Sequence, residues 1–544
     1  MSKISFFALG GLDENGKNLY IVEIDNDIFV FDCGLKYASG NLLGIDYIIP
    51  DFNYLIKHKS KIRGVFLTSG HKENMGGVKD LLEALPNLKI HATKFTKFSL
   101  LEDGVNEKNI VEILPHRKIN FGENSIFPIS VSVNIPDAVM YVINTKDGAI
   151  CYTGDFIIDP LMNKQFDMDL GRIAYVGKQG VLALLSESTF SEKVGHTSPN
   201  HHLFDFFLDV INNNEGRIIF SILPEYIYTI KEIFAALANK HRKVVVMGKK
   251  LQNIVDFATK EGYLEYEEEL VGDLSNLKER DAIILVADDR ANPYAHLNKL
   301  LKGYDKFITL EKDDTVVFAE PRFDSSEKLL VRLENELAMY GCKVISTPRE
   351  KTIRHHASSE DLMLMIKLLN PKYYIPTRGE YRYMVGNANH AHALGIPAEN
   401  IILKQNGEKI TIKDKILTEK VVTTPVDDVL IDGKSSDDVG NLVIKDREML
   451  SESGIVLISA TIDKKEKTIL VGPEVVTRGF IYIKESFDLI SEIKEISQNI
   501  IEKHINPKFV DFNSIKFELR EQLSKFLYQE TESKPMIIAV VQEV

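Results

Sequence analysis

Leu67-Thr-Ser-Gly-His-Lys-Glu-Asn-Met-Gly-Gly77 is the stretch on which the reading of this chain turns. Gly64 to Thr68 is a compact apolar run and reads as a buried strand. Ser69 to Asn74 is a polar loop, and Met75 to Leu85 carries apolar residues at helical spacing. Loops at strand ends are where α/β proteins place reactive groups. This loop holds an imidazole, His71, and a carboxylate, Glu73. A second junction of the same kind lies at Ala149 to Asp155, where Tyr152, Thr153, Gly154 and Asp155 end a strand.

Outward from these junctions the pattern divides the chain. In residues 1–200 short apolar runs alternate with turns, and Leu19 to Ile24 and Ile28 to Phe31 read as strands joined by Asp25, Asn26 and Asp27. Over residues 201–347 strands and helices alternate. Arg217 to Leu223, Lys243 to Met247, Ala282 to Ala287 and Thr315 to Phe318 read as buried strands, with helices such as Tyr228 to Lys240 and Glu327 to Tyr340 between them. That pattern predicts a parallel sheet. Residues 348–410 add a helix, Ser359 to Leu369, capped by Ser358 or Ser359, and a strand, Lys372 to Pro376, that ends in Thr377-Arg-Gly-Glu380. Residues 411–446 are polar and turn-rich and read as a connector. Residues 447–544 read as a small α/β domain with strands at Ile455 to Thr461, Thr468 to Val471 and Pro535 to Val541. Its helices are expected at Phe487 to Glu502 and Ser514 to Tyr528.

A chain of 544 residues is too long for one ordinary core, and its length suggests roughly three domains. With 44% hydrophobic and 27% charged residues it has the composition of a soluble globular protein. No apolar run approaches the ~18 residues of a spanning helix, so no membrane partner is expected. Met1 to Leu12 has no small-residue cleavage site before Asp13 and Glu14, which argues against a signal peptide and for the cytoplasm. Cys33, Cys151 and Cys342 are too scattered for a disulfide framework or a cysteine zinc site. The net charge of -13 opposes non-specific nucleic-acid binding by the whole surface and leaves room for RNA in a local basic channel. The densest basic run, Lys57, His58, Lys59, Lys61 and Arg63, reads as a solvated loop.

The Leu67–Gly77 stretch resembles the main metal motif of the metallo-β-lactamase fold, His-x-His-x-Asp-His. Ala8 to Asn18, Asp32-Cys-Gly34, Gly44-Ile-Asp46, Ile135-Pro-Asp137, Thr153-Gly-Asp-Phe156 and Ser186-Glu-Ser-Thr189 resemble segments of the ribonuclease J family. So do Pro371-Lys-Tyr373, Gly379-Glu-Tyr-Arg382, Asp438-Val-Gly-Asn441, Arg478-Gly-Phe480 and Pro535-Met-Ile537. They keep the family's order and spacing along nearly the whole chain. The resemblance implies an αββα metallo-β-lactamase domain over residues 1–200 and 348–410, an inserted β-CASP domain with a parallel sheet over 201–347, a connector and a small C-terminal α/β domain. It also implies zinc-dependent endoribonuclease and 5′-to-3′ exoribonuclease chemistry in RNA decay and ribosomal RNA maturation, carried out by dimers or tetramers.

Phosphodiester hydrolysis of that kind uses two cations, held by imidazoles and carboxylates. The family's ligand positions fall here on Ser69, His71, Glu73, Asn74, Val133, Asp155 and Arg378. His71 and Asp155 are kept, Glu73 is a one-methylene-longer carboxylate, and Ser69, Asn74, Val133 and Arg378 are lost as ligands. Zinc sites need at least three protein ligands, and the cation at Arg378 repels a metal. Arg378 is expected to pair with Asp155 or Glu73 in place of metal. No cofactor is therefore expected, or zinc alone if His71, Glu73 and Asp155 still hold one. The family's phosphate-binding turn falls on Arg354, His355, His356 and Ser358, at a helix N-terminus suited to an anion. His356 stands where the family has its proton donor. Glu225 to Tyr228 and Asp288, Asp289, Arg290 replace small polar loops of the family and set carboxylates against a phosphate. The leading expectation is a catalytically inactive partner of an active ribonuclease J paralogue, or of a second copy of itself, shaping an RNA channel. A weak zinc- or manganese-dependent ribonuclease is the alternative, and a stand-alone RNA-binding protein the third.

Overall fold

The computed structural model describes residues 2–38, 44–288, 294–320, 322, 326–348, 351, 355–432, 441–463, 465–480, 487–505 and 510–544. They form two compact units, residues 1–38 with 46–431 and residues 39–45 with 432–544.

In the first unit, apolar strands build two large sheets. The nine-stranded sheet contains Lys3–Gly10, Leu19–Ile24, Asp27–Phe31 and Ile62–Phe66 side by side. The six-stranded sheet runs Tyr373–Thr377, Val181–Glu187, Gly148–Tyr152, Val139–Thr145, Asn124–Ser130, Ile119–Phe121. Alternating side chains from the two sheets share one core. Phe31 lies 5.6 Å from Tyr141 and Tyr20 lies 5.2 Å from Tyr152, ring centre to ring centre. The outer face of the first sheet packs helical residues such as Leu55, Leu81 and Leu100. The outer face of the second packs Ile173, Val176, Leu362 and Met365. These layers are the αββα sandwich expected from the sequence.

The inserted segment forms its own five-stranded sheet, ordered Val244–Val246, Ile283–Ala287, Ile218–Ile222, Thr315–Phe318, Lys343–Ser346. Every pairing in it is parallel. Such a sheet needs cover on both faces, and its first four strands in the order given, Val244–Val246, Ile283–Ala287, Ile218–Ile222 and Thr315–Phe318, are almost wholly buried and mostly β-branched or aliphatic. The stretch read as a connector does more than link. Glu408–Lys413 pairs with the first strand of the chain, and Asp428–Ile431 pairs with Tyr47–Pro50. These short, half-exposed strands alternate too weakly to stand out among the lysines and aspartates around them.

In the second unit Ile455–Ile462 is the central strand between Ile469–Arg478 and Met536–Glu543. The helices Phe487–Lys503 and Phe512–Thr531 supply Ile493, Ile500, Leu519 and Leu523 to its core. No helix among the described residues is long and apolar enough to cross a membrane.

The Ser69–Asn74 loop is laced to its neighbours by backbone bonds. The Asn18 amide donates to the Glu73 carbonyl (3.1 Å), the Cys33 amide to the Asn74 carbonyl (2.7 Å) and the Leu35 amide to the Lys72 carbonyl (3.0 Å). This approach requires a glycine, because a Cβ at Gly34 would stand 1.5 Å from the Glu73 carbonyl oxygen. Backbone cannot rotate away as a side chain can. Gly34→Ala is therefore expected to cost about 3 kcal/mol in a urea unfolding experiment, a large loss for one methyl group; an unchanged midpoint would mean the loop can retreat.

Candidate functional site

The strand ends of the two large sheets deliver four of the family's seven ligand positions, His71, Glu73, Asp155 and Arg378, to one small pocket. It is lined by His71, Glu73, Asn134, Asp155, His356 and Arg378, among others. His71, Asp155 and Arg378 are all buried.

At its centre Arg378 Nη1 donates to Asp155 Oδ1 and, at 3.3 Å, to Asn74 Oδ1. Arg378 reaches this place through a left-handed backbone (φ 51°) that a non-glycine residue adopts at a cost of about 1–3 kcal/mol. Its amide donates to the Gly11 carbonyl, and the Gly379 amide donates to that of Glu14, both at 2.9 Å. Burial opposes the guanidinium charge, but Asp155, Glu73 and Glu187 more than offset it and hold its pKa above the ordinary arginine value.

The neutral substitutions form a hydrogen-bonded chain. Asn74 Nδ2 donates to both Asp155 Oδ2 and Ser69 Oγ, each at 3.0 Å, while its Oδ1 also accepts from Asn18 (2.6 Å). His71 Nε2 lies 2.7 Å from Asn134 Oδ1 and its Nδ1 lies 2.9 Å from Ser69 Oγ. With Asn134 Oδ1 as acceptor, Nε2 carries the proton and Nδ1 accepts from the Ser69 hydroxyl. Burial lowers the His71 pKa, which suits that neutral tautomer. Both nitrogens of the one retained histidine are thus spent on the protein. Val133 is fully buried among apolar side chains and brings no polar atom. The neighbouring Asn134, on the bend between strands Asn124–Ser130 and Val139–Thr145, supplies one instead.

These residues do not fit the family's two-metal centre. Of the retained ligands, His71 has no uncommitted nitrogen, and a guanidinium sits on Asp155. One other group of ligand types converges here: Asp155, Glu187 and His356 bring donor atoms within 4.8 Å of one another. His356 Nδ1 is 2.8 Å from Glu187 Oε2 and 3.7 Å from Asp155 Oδ1. Glu187 Oε1 accepts from the amides of Phe156 (3.0 Å) and Ala357 (3.2 Å). Burial pushes the Glu187 pKa up to about 7, with Arg378 opposing the rise. Neither Glu187 nor Asn134 was assigned a role from sequence, although Glu187 stands inside the quoted Ser186–Thr189 motif and Asn134 follows the position considered, Val133.

The phosphate turn is largely committed as well. Ser358 caps the helix Ser359–Leu369 and is fully buried, its hydroxyl 2.7 Å from that of Thr197. The amides of Ser358, Ser359 and Glu360 donate to the Asp361 carboxylate and to the carbonyls of Lys193 and Gly195. An anion at this N-terminus must displace them. His355 is buried, and burial holds its pKa well below the ordinary value, so it is a neutral ring. Tyr226 also lines the pocket, 6.1 Å from His71. Arg354, Asp289 and Arg290 lie outside the described residues.

The charge balance gives a test. Arg378→Met leaves buried carboxylates without a cation, expected to cost about 3–5 kcal/mol at neutral pH. Glu187, whose folded pKa lies above its ordinary value, contributes stability below pH ~4.5 that is lost as pH rises through about 7. Removing Arg378 raises that pKa further. The penalty of the variant, measured by urea unfolding, is therefore expected to shrink between about pH 8 and about pH 5. A penalty independent of pH would contradict the charge argument.

Comparison with known proteins agrees with this architecture. Residues 215–337 match the Ribonuclease J beta-CASP domain, residues 352–401 the Zn-dependent metallo-hydrolase RNA specificity domain, and residues 442–544 the Ribonuclease J C-terminal domain. The chain is 36% identical to Ribonuclease J2 of Bacillus subtilis (strain 168), covering 99% of each chain. It is 33% identical to Ribonuclease J 2 of Staphylococcus aureus (strain NCTC 8325 / PS 47), over 99% of this chain and 98% of that one. A crystal structure of a protein of unknown function from Enterococcus faecalis V583 shares the fold at a TM-score of 0.52 and 16% identity, covering 75% of this chain and all of the other. Full-length similarity at this level, on an αββα sandwich with an inserted parallel sheet, makes the chain a member of the ribonuclease J family.

Proposed function

We propose that this chain is a non-catalytic ribonuclease J-type subunit of the cytoplasmic RNA decay and ribosomal RNA maturation machinery. It would pair with an active ribonuclease J paralogue, or with a second copy of itself, and shape the path of RNA on the assembly. The observation that carries the reading is the Arg378 guanidinium seated on Asp155. Hydrolysis by this family's chemistry needs hydroxide generated on a metal and a second positive centre on the phosphate. A guanidinium supplies fixed charge, binds no water as a ligand and cannot lower the pKa of one. The committed hydrogen bonds of Ser69, His71 and Asn74 support the same reading.

A second reading, a weak zinc- or manganese-dependent ribonuclease, draws on Asp155, Glu187 and His356, whose donor atoms lie close enough for one ion. In it His356 would be a ligand rather than the proton donor that the family resemblance makes of this position.

The two readings separate in one assay. Purified chain is incubated with 5′-monophosphorylated RNA and Mn²⁺ or Zn²⁺ beside His356→Ala and Asp155→Asn variants. The subunit reading expects the same background cleavage from all three, together with co-purification of an active ribonuclease J from the native cell. Cleavage well above background that both variants abolish would establish the enzyme instead.

A further inference from the structure

Outside that pocket, a second cluster of ligating side chains is built into the first unit. Asp159 lies four residues beyond Asp155, on the loop after strand Gly148–Tyr152. His201 and His202 lie just ahead of the helix Phe204–Asn212, where the chain enters the inserted sheet domain. The Nε2 atoms of His201 and His202 are each 2.9 Å from Asp159 Oδ2. The Asp159 and His201 side chains are fully buried.

Three atoms this close and this buried would ordinarily be hydrogen-bonded. Asp159 Oδ2, His201 Nε2 and His202 Nε2 have no partner at hydrogen-bonding geometry, and neither does His201 Nδ1. An unsatisfied buried polar group is costly, and these three atoms, converging on one point, have only one another as electrostatic partners at poor hydrogen-bond geometry. The remaining atoms are held so as to aim them. Asp159 Oδ1 accepts from the Leu161 amide (2.8 Å), leaving Oδ2 for the centre. His202 Nδ1 donates to Glu232 Oε1 (3.2 Å), and Glu232 Oε2 accepts from the Leu203 amide (3.1 Å). Flanked by Asp159 and Glu232, the metal-free His202 ring is held protonated; a bound ion would displace the Nε2 proton and leave Nδ1–H on Glu232, as in metal-bound histidines.

We propose that Asp159 Oδ2, His201 Nε2 and His202 Nε2 form a divalent zinc site, with Glu232 orienting His202. Tetrahedral zinc at about 2.0–2.1 Å from N and O donors sets them roughly 3.3 Å apart, so the ligands open by a few tenths of an ångström to admit it. Two imidazoles and one carboxylate select zinc over calcium or magnesium, which take oxygen ligands. His202 is the one partly exposed ligand, and the ion would enter along its ring. His201 is closed off by the rings of His355 (4.8 Å) and Tyr228 (6.2 Å). None of the family's ligand positions contributes. The ion would pin the strand-end loop of the sandwich to the start of the inserted domain, close to where Lys351 Nζ donates to the His202 carbonyl (2.9 Å).

The test uses the full chain stripped with chelator and titrated with Zn²⁺, then with Co²⁺ for its visible ligand-field spectrum. The expected result is one equivalent bound, a tetrahedral Co²⁺ spectrum and a rise in melting temperature on adding zinc. His202→Gln, at the exposed edge of the site, and the buried His201→Gln are expected to abolish all three. Glu232→Gln is expected to weaken zinc about 10–100-fold. Circular dichroism of the stripped variants shows whether they fold, and the milder Glu232 variant carries the test if the buried one does not. Retention of the ion in His356→Ala assigns it to this cluster. No binding tighter than about 10 µM by the wild type, or an ion lost in His356→Ala and kept in His202→Gln, would overturn the proposal.

Discussion

Asp155, Glu73 and Glu187 converge on one buried pocket, and carboxylates so placed must be neutralised by a cation or by protons. Two divalent ions would do this with four positive charges that exchange with solvent. Arg378 does it with one charge that is covalently part of the chain and never dissociates. Burial still pushes the Glu187 pKa up to about 7, against the opposing charge of Arg378. The strand ends, the left-handed backbone at Arg378 and the turn that carries His356 are all disposed around this charge balance.

The neutral side chains have adapted to the same condition. A metal ligand must keep a lone pair uncommitted, whereas a buried polar side chain without a metal must find hydrogen-bond partners. Ser69, His71 and Asn74 satisfy one another, with Asn134 and Asn18 closing the ends of the chain. His71 illustrates the change best, because it keeps its identity and gives up both nitrogens.

Much of the fold was legible because its signals are local. Thr315 to Phe318 and Glu327 to Tyr340 were read with the bounds the structure gives, since continuous β-branched runs and helical spacing need no tertiary information. The strand read as Thr468 to Val471 instead runs over Ile469–Arg478, continuing through Gly472-Pro473. An edge strand tolerates a proline that a central strand would not, and edge position is invisible in sequence. Within the site, the changed ligand positions and a pairing of Arg378 with Asp155 or Glu73 could be named from spacing and charge, but the hydrogen-bond partners of the remaining side chains could not. Asn134 and Glu187 act through distances of 2.7 and 2.8 Å to residues 63 and 169 positions away. The spent amides at the start of the helix Ser359–Leu369 belong to the same class of long-range facts.

The close passage of Gly34 against Glu73 has a consequence for how such a site changes. The loop that once would have gathered ligands is positioned by main-chain bonds from residues 18, 33 and 35, independent of which side chains it carries. Its geometry therefore survives exchange of a histidine for a serine or an asparagine, or of an aspartate for a glutamate, and each exchange is judged only on whether it finds a local partner. Shape and reactivity are separately inherited in this loop, so a sequence can drift out of chemistry while remaining, in its backbone, the same surface for whatever the sandwich touches.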